Sequence, residues 1–285
     1  MASQLKRLGL NKSFGGFVTK WEHFSAVLGL TAKFSIFMPA GASNDARVHC
    51  LYFLSGLTCN EDNFIQKAGA TREANAQHLA IVCPDTSPRG AGVPTEDDNW
   101  DFGTGAGFYV DATTDGWKKN YKMYSYVTKE LPALIEENFP VTNRKSVFGH
   151  SMGGHGALSL YLKNPGLYQS ASAFSPICNP TNCPWGKKAL SGYLGNDEAD
   201  WKEWDSSQLV SGFTGQRNEI LIDQGAEDGF LKDGQLLPEA FAEACQASKH
   251  PLTLRMQEGY DHSYFFISSF VDDHIKHHSS FLNAQ

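Results

Sequence analysis

A serine, an acid and a histidine stand in this chain where they could build a hydrolytic centre. Gly149-His150-Ser151-Met152-Gly153 is a G-x-S-x-G pentapeptide directly after the strand-like run Lys145-Ser146-Val147-Phe148. A helix-compatible segment, Gly154 to Leu162, follows it. A serine between a strand and a helix must occupy a sharp turn that lifts its hydroxyl clear of the sheet edge. Glycines two residues to either side remove the Cβ atoms that would collide there. The first helical N–H groups then point toward any oxyanion that forms at Ser151. The bare pentapeptide also occurs at Gly-rich helix entries, so the strand–turn–helix context carries the nucleophile reading.

A serine hydroxyl is a poor nucleophile until a positioned base takes its proton. Ten histidines compete for that role. His262 lies in the loop Glu258-Gly259-Tyr260-Asp261-His262-Ser263, between the last expected strand and the last helix. That loop falls at the carboxyl edge of the sheet, as Ser151 does. His150 adjoins the serine but is expected to point away from it, and His155 to pack within the following helix. His274, His277 and His278 are expected at the exposed end of the last helix, where the macrodipole suits them. His23, His49, His78 and His250 read as solvated residues at element ends. The segment Ile220 to Phe230 offers Asp223, Glu227 and Asp228 as the acid that orients the base. Asp223, at the strand terminus, is expected to bond loop backbone. Asp228, a short acid before Gly229, suits a tight turn and is the better partner. Ser151, Asp228, His262 is the chain order of α/β-hydrolases. Two N–H donors are needed for the developing oxyanion, and Met152 and Leu57 are assigned to it, with Gly56 letting the backbone turn inward. Losing one such donor costs about 3 kcal/mol of transition-state stabilisation.

The elements that must position these residues alternate. Antiparallel strands are expected at Phe24–Leu28 and Ala32–Met38, broken at Gly29 and ended by Pro39. Val48–Leu54 and Leu79–Cys83 are apolar enough to be buried on both sheet faces, with a helical stretch from Phe64 to His78 between them. Residues 84–120, rich in Gly, Asp, Thr and Pro, read as long ordered loops of a functional surface. Tyr124–Phe139 is an amphipathic helix with Pro132 inside it, which predicts a kink or a late start. Further strands are expected at Gln169–Phe174, Glu219–Asp223 and Leu252–Met256, and helices at Leu236–Ser248 and Tyr264–His278. The pattern predicts a single α/β domain over 1–285: an α/β-hydrolase fold, a three-layer sandwich whose mostly parallel central sheet is preceded by antiparallel N-terminal strands. An insertion is expected at about 175–215.

The 285 residues are 41% hydrophobic and 12% aromatic, which supports a sizeable core. Lys+Arg 24 against Asp+Glu 31 leaves a dispersed net charge of −7, which argues against nucleic acid or an anionic membrane as partner. No apolar run approaches the roughly 18 residues of a membrane span, and the N-terminus reads as lacking a secretory core. The six cysteines are therefore expected reduced, in the cytoplasm. Cys50 and Cys83 read as core residues. Cys178 and Cys183 share a Pro/Asn loop without a second pair or a close histidine, so neither a metal nor another cofactor is expected.

Long motifs carry a resemblance over nearly the whole chain. They are Tyr52-Phe53-Leu54-Ser55-Gly56-Leu57-Thr58-Cys59, Asn99-Trp100-Asp101-Phe102-Gly103, Gly149 to Ala157, Asp223-Gln224-Gly225 with Asp228 and Phe230, and Gly259 to Phe266. With them the chain resembles the S-formylglutathione hydrolases, the esterase D family of serine hydrolases. The resemblance implies hydrolysis of the thioester S-formylglutathione to glutathione and formate, in cytosolic formaldehyde detoxification. It also implies a homodimer and side activity on small carboxylic esters. It suggests, too, that a cysteine at Cys59 makes activity thiol-sensitive, against the alternative of a buried spectator. Trp185 is a candidate wall of the acyl pocket, with a core tryptophan as the alternative. Arg89, Lys187 and Lys188 are weighed as receivers of the glutathione carboxylates, although a lone surface cation is commonly just solvated. The competing readings are a general small-acyl carboxylesterase or acyltransferase akin to mycolyltransferases, and a binding module that has lost its nucleophile. A metal hydrolase is disfavoured, since neither H-E-x-x-H nor H-x-x-E-H occurs.

Overall fold

The computed structural model describes residues 5–284. Its strands are β1 (Lys6–Ser13), β2 (Gly16–Ser25), β3 (Leu30–Met38), β4 (Val48–Leu54), β5 (Leu79–Pro84), β6 (Val141–His150), β7 (Ala171–Phe174), β8 (Ile220–Gly225) and β9 (Leu252–Gln257). They form one sheet in the order β1-β2-β3-β5-β4-β6-β7-β8-β9. Pairing is antiparallel from β1 through β3 to β5 and parallel from β5 to β9. Each parallel strand needs a crossover, and the helices that supply it cover both faces. Along β4, Cys50, Tyr52 and Leu54 enter one apolar core while Leu51 and Phe53 enter the other, the period of two expected of a strand buried on both sides.

The helices are α1 (Asn63–Lys67), α2 (Thr71–Ala76), α3 (Met123–Ser125), α4 (Leu131–Asn138), α5 (Met152–Lys163), α6 (Pro184–Leu194), α7 (Glu198–Lys202), α8 (Ser206–Leu209), α9 (Gly229–Lys232), α10 (Pro238–Ser248) and α11 (Tyr264–Leu282). The expected helix at Phe64–His78 is in fact the pair α1 and α2, interrupted where Gly69 takes φ +70°. Pro132 sits in the first turn of α4, where its missing N–H costs nothing, and a π-helical turn at Tyr126–Glu130 joins α3 to α4. Helices α6 to α8 fill the stretch between β7 and β8.

Two expectations need correction. The strand placed at Phe24–Leu28 is a turn from Ala26 onward, and the real partner of β3 is β2, which ends at Ser25. It pairs in turn with β1 through the two-residue turn Phe14-Gly15, both at positive φ as a tight hairpin requires. Most of β1 is exposed, so no hydrophobic alternation marked it in the sequence. The second correction concerns histidines. His274 and His278 are fully buried, His277 is partly so, and His23 and His250 are buried as well.

The buried face of α11 carries one directed chain of hydrogen bonds. Arg255 and His274 Nε2 both reach the Asp223 carboxylate, at 2.5 and 2.9 Å. Burial alone would raise that carboxyl, but the bonds from His274 and Arg255 hold it down to about 2, so it accepts. Burial keeps both histidines neutral. His274 Nδ1 must then accept from Ser172 Oγ at 2.8 Å, and Ser172 Oγ must accept from His278 Nε2 at 2.8 Å. His278 Nδ1 accepts from Ser170, which accepts from Ser146, each at 2.8 Å. The chain ties α11 to β6, β7 and β8, and so sets where the loop ahead of α11 can lie.

These imidazoles set a pH dependence. Burial pushes His155 and His277 down to about 4 and lowers His150, His274 and His278 too. The unfolded chain takes these protons near pH 6.5 and the fold does not. Stability is therefore complete above that pH and lost as pH falls from it toward the folded values. For the fully buried His155 the cost should be about 1 kcal/mol at pH 5.5, and the other buried histidines add to it in the same direction. Urea midpoints should be level from pH 8 to 7 and fall between pH 6.5 and 4; a level midpoint there would mean the imidazoles protonate inside the fold.

Candidate active site

Ser151 ends β6 and caps α5 at φ 58° and ψ −118°, a backbone conformation that L-residues rarely hold. Close packing enforces it. A Cβ at Gly153 would overlap the Leu54 carbonyl, and one at Gly149 would overlap the Gly153 carbonyl. The Ser151 N–H is tied to Phe174 O at 2.9 Å, and its carbonyl accepts from His155 and Ile177 at 3.0 and 3.2 Å. Ser151, the end of β4 and the end of β7 thus meet at one point on the carboxyl edge.

His262 and Asp228 arrive from β9 and β8. His262 Nδ1 donates to Asp228 Oδ2 at 2.5 Å. Asp228 is fully buried and caps α9, its Oδ1 accepting the Phe230 N–H at 2.8 Å, while Gln224 Nε2 donates to Oδ2 at 3.2 Å. Burial would raise this carboxyl, but the His262 hydrogen bond and charge and the Phe230 N–H keep it below its ordinary value. An ionised Asp228 fixes the tautomer of His262, leaving Nε2 as the acceptor. The other two acids of this segment are engaged elsewhere: Glu227 pairs with Lys232 at 2.5 Å. Asp223 bonds Arg255, Gln257 and His274 rather than the loop backbone expected of it.

The loop after β4 borders the serine. A Cβ built at Gly56 would lie 3.1 Å from Ser151 Cβ, so glycine lets this loop approach the serine without crowding it. Among the described residues the Leu57 N–H meets no protein acceptor. Met152 is the first residue of α5, and its N–H has no carbonyl one helical turn earlier within the helix. The long 84–120 segment braces this loop: Thr58 N donates to Gly105 O at 2.9 Å and Tyr109 Oη to Ser55 O at 2.8 Å. Tyr109 is itself pressed on α5, where a Cβ at Gly156 would sit 2.5 Å from its ring.

Ser151 and His262 face a cavity of about 200 Å³ lined also by Leu57, Cys59, Trp100 and Trp185. The Trp185 ring stands 5.6 Å from Trp100 and 4.7 Å from Phe230, whose ring meets His262 edge-on at 4.8 Å. Phe230, Trp100 and Tyr264 were not singled out as site residues, although all three lie inside the quoted motifs. His150 was set aside, yet its ring lies 4.3 Å from that of His262, and burial holds it far below its ordinary pKa and hence uncharged. Burial also raises the Cys59 thiol, against the opposing pull of Tyr264, Lys67 and Arg89. Arg89 is ion-paired with Asp85, and Lys188 with Asp101, while Lys187 is exposed on α6.

Residues 25–277 match the esterase family model, described as "Putative esterase". S-formylglutathione hydrolase of Rattus norvegicus is 56% identical over 282 residues, covering 99% of this chain and 100% of the relative. The enzyme of that name from Arabidopsis thaliana is 52% identical over 284 residues, 99% of each chain. Among solved structures, an S-formylglutathione hydrolase from Agrobacterium tumefaciens superposes with a TM-score of 0.93 at 46% identity, covering 97% of this chain and 99% of that one. The chain belongs to the esterase family and, within it, to the S-formylglutathione hydrolases.

Proposed function

We propose that this chain is a serine thioesterase that hydrolyses S-formylglutathione to glutathione and formate. One observation carries the reading: Ser151 and His262, far apart in sequence, line a single cavity, and His262 is bonded behind it to the buried Asp228. The relatives named for this reaction match over their full length. Ser151 Oγ attacks the formyl carbon as its proton passes to His262 Nε2. The negative charge on the carbonyl oxygen is met by the Leu57 and Met152 N–H groups. The imidazolium, steadied by Asp228, returns its proton to the departing glutathione sulfur. Water then gives a proton to His262 and attacks the formyl ester, releasing formate and restoring Ser151.

Trp185 and Trp100 narrow the acyl side of the cavity, which favours a formyl group over longer chains. The six cysteines are all unpaired, in keeping with a reducing cytosol. The exposed Leu8, Leu10, Phe14 and Phe17 of the edge hairpin offer a self-association surface for a homodimer.

With Ser151→Ala as the blank, kcat/KM should favour S-formylglutathione over p-nitrophenyl acetate by several orders of magnitude; comparable values would make this a generalist esterase. Asp228→Asn should cut kcat by about 10⁴-fold and leave KM nearly unchanged, because the imidazole loses its tautomer rather than its substrate. A loss below tenfold would remove Asp228 from the triad. Cys59 we assign as the thiol that makes activity sensitive to alkylation. Maleimide inactivation should be slow at pH 7, accelerate as pH rises, and vanish in Cys59→Ser; equal inactivation of that variant would exclude it.

A further inference from the structure

A second cavity, of about 550 Å³, opens on the same carboxyl edge beside β3 and β5, lined in part by Thr31, Lys33, Asn60, Glu61, Asp85 and Arg89. One turn of backbone divides it from the Ser151 cavity: Cys59 lines the first and Asn60 the second. The nucleophile's own cavity, at about 200 Å³, is below the roughly 300–1,000 Å³ of pockets that enclose a drug-sized ligand. A tripeptide thioester must therefore extend beyond it.

Arg89 is built into the wall between the two. Its Nε and Nη2 donate to the two oxygens of Asp85 at 3.0 and 2.7 Å, and Nη2 also donates to Cys59 O at 3.1 Å. A guanidinium carries five N–H donors. Among the described residues the two on Nη1 have no protein acceptor, so the Arg89 guanidinium, which lines the cavity and is 40% exposed, keeps uncommitted donors. Asp85 is buried, and so is Glu61, whose carboxylate pairs with Lys20 at 2.7 Å. The lining thus sets fixed carboxylates beside a fixed guanidinium. That pattern does not suit a simple anion or a simple cation. It suits a zwitterion.

We infer that this cavity is the leaving-group subsite and binds the γ-glutamyl end of glutathione, its α-carboxylate on Arg89 and its ammonium on the Glu61 and Asp85 side. The inference rests on the S-formylglutathione reading and adds the residues that recognise the tripeptide. It also explains why Arg89 grips Cys59 O: the cation that holds the substrate also holds the loop whose Leu57 N–H faces the reacting carbonyl. Occupying one cavity therefore aligns the other.

The test compares kcat/KM for S-formylglutathione and S-formyl-N-acetylcysteinylglycine, which lacks the γ-glutamyl group and whose acetylated nitrogen cannot capture the formyl group, in the native chain, Arg89→Ala and Thr31→Trp. Thr31→Trp fills the cavity mouth and leaves the Asp85–Arg89 pair in place. The native chain should prefer the full tripeptide by tenfold or more. Both variants should lose most of that preference, chiefly through a higher KM for the full substrate. Equal losses on both substrates, or none, in both variants would overturn the subsite. A native chain that turns over neither thioester faster than p-nitrophenyl acetate would overturn the thioesterase reading itself, and this inference with it.

Discussion

The structure turns on the near-contact of two backbones, that of Gly153 at the start of α5 and that of Leu54 at the end of β4. No side chain fits between them. Because α5 lies this close to the sheet, the chain leaving β6 has to reverse within one residue, and Ser151 takes up the strained φ. The same closeness brings Gly56 and Leu57 against the nucleophile. One steric constraint thus sets both the place of Ser151 at the cavity and the close approach of the Gly56–Leu57 loop beside it.

Every other part of the site is held relative to that point by a separate anchor. Tyr109 and Gly105, from the long segment between β5 and α3, brace the donor loop from above. Asp228 is fixed by capping α9, so its carboxylate faces His262 before any substrate arrives. The His262 loop lies between β9 and α11, and α11 is pinned by the chain of bonds from Asp223 through His274, Ser172 and His278 to Ser146. This chain works because Asp223 is ionised and both histidines are neutral. Protonating either imidazole would place two donors where one donor and one acceptor are needed.

The aromatic wall around the reacting centre has a further effect. Trp185, Trp100 and Phe230 leave a small apolar space, and Phe230 and His150 flank the His262 ring. Their packing confines the imidazole to the plane that Asp228 sets. His150, kept neutral by burial, places no positive charge beside the His262 ring.

Much of this was legible in the sequence, and for local reasons. The elbow needs glycine at fixed offsets from a serine, and buried parallel strands need apolar runs, so Val48–Leu54 and the strand before Ser151 could be read directly. Asp228 could be preferred because a short acid before glycine suits the turn it caps. The hairpin of β1 and β2 could not, since an exposed edge has no buried face to impose alternation. The burial of the α11 histidines is not legible in the sequence, because an imidazole there carries no sign of its partners. Burying His274 and His278 is tolerable only because Ser170 just ahead of β7, Ser172 of β7 and Asp223 of β8 meet them. By itself, then, the sequence determined the elbow around Ser151, the proposed order Ser151, Asp228, His262 and the alternating α/β architecture, each read from residues near one another within one segment of the chain. The tertiary structure alone decided which imidazoles are buried, which rings line the cavity beside Ser151 and that Arg89 pairs with Asp85, because those depend on contacts between segments that meet only when the sheet is assembled.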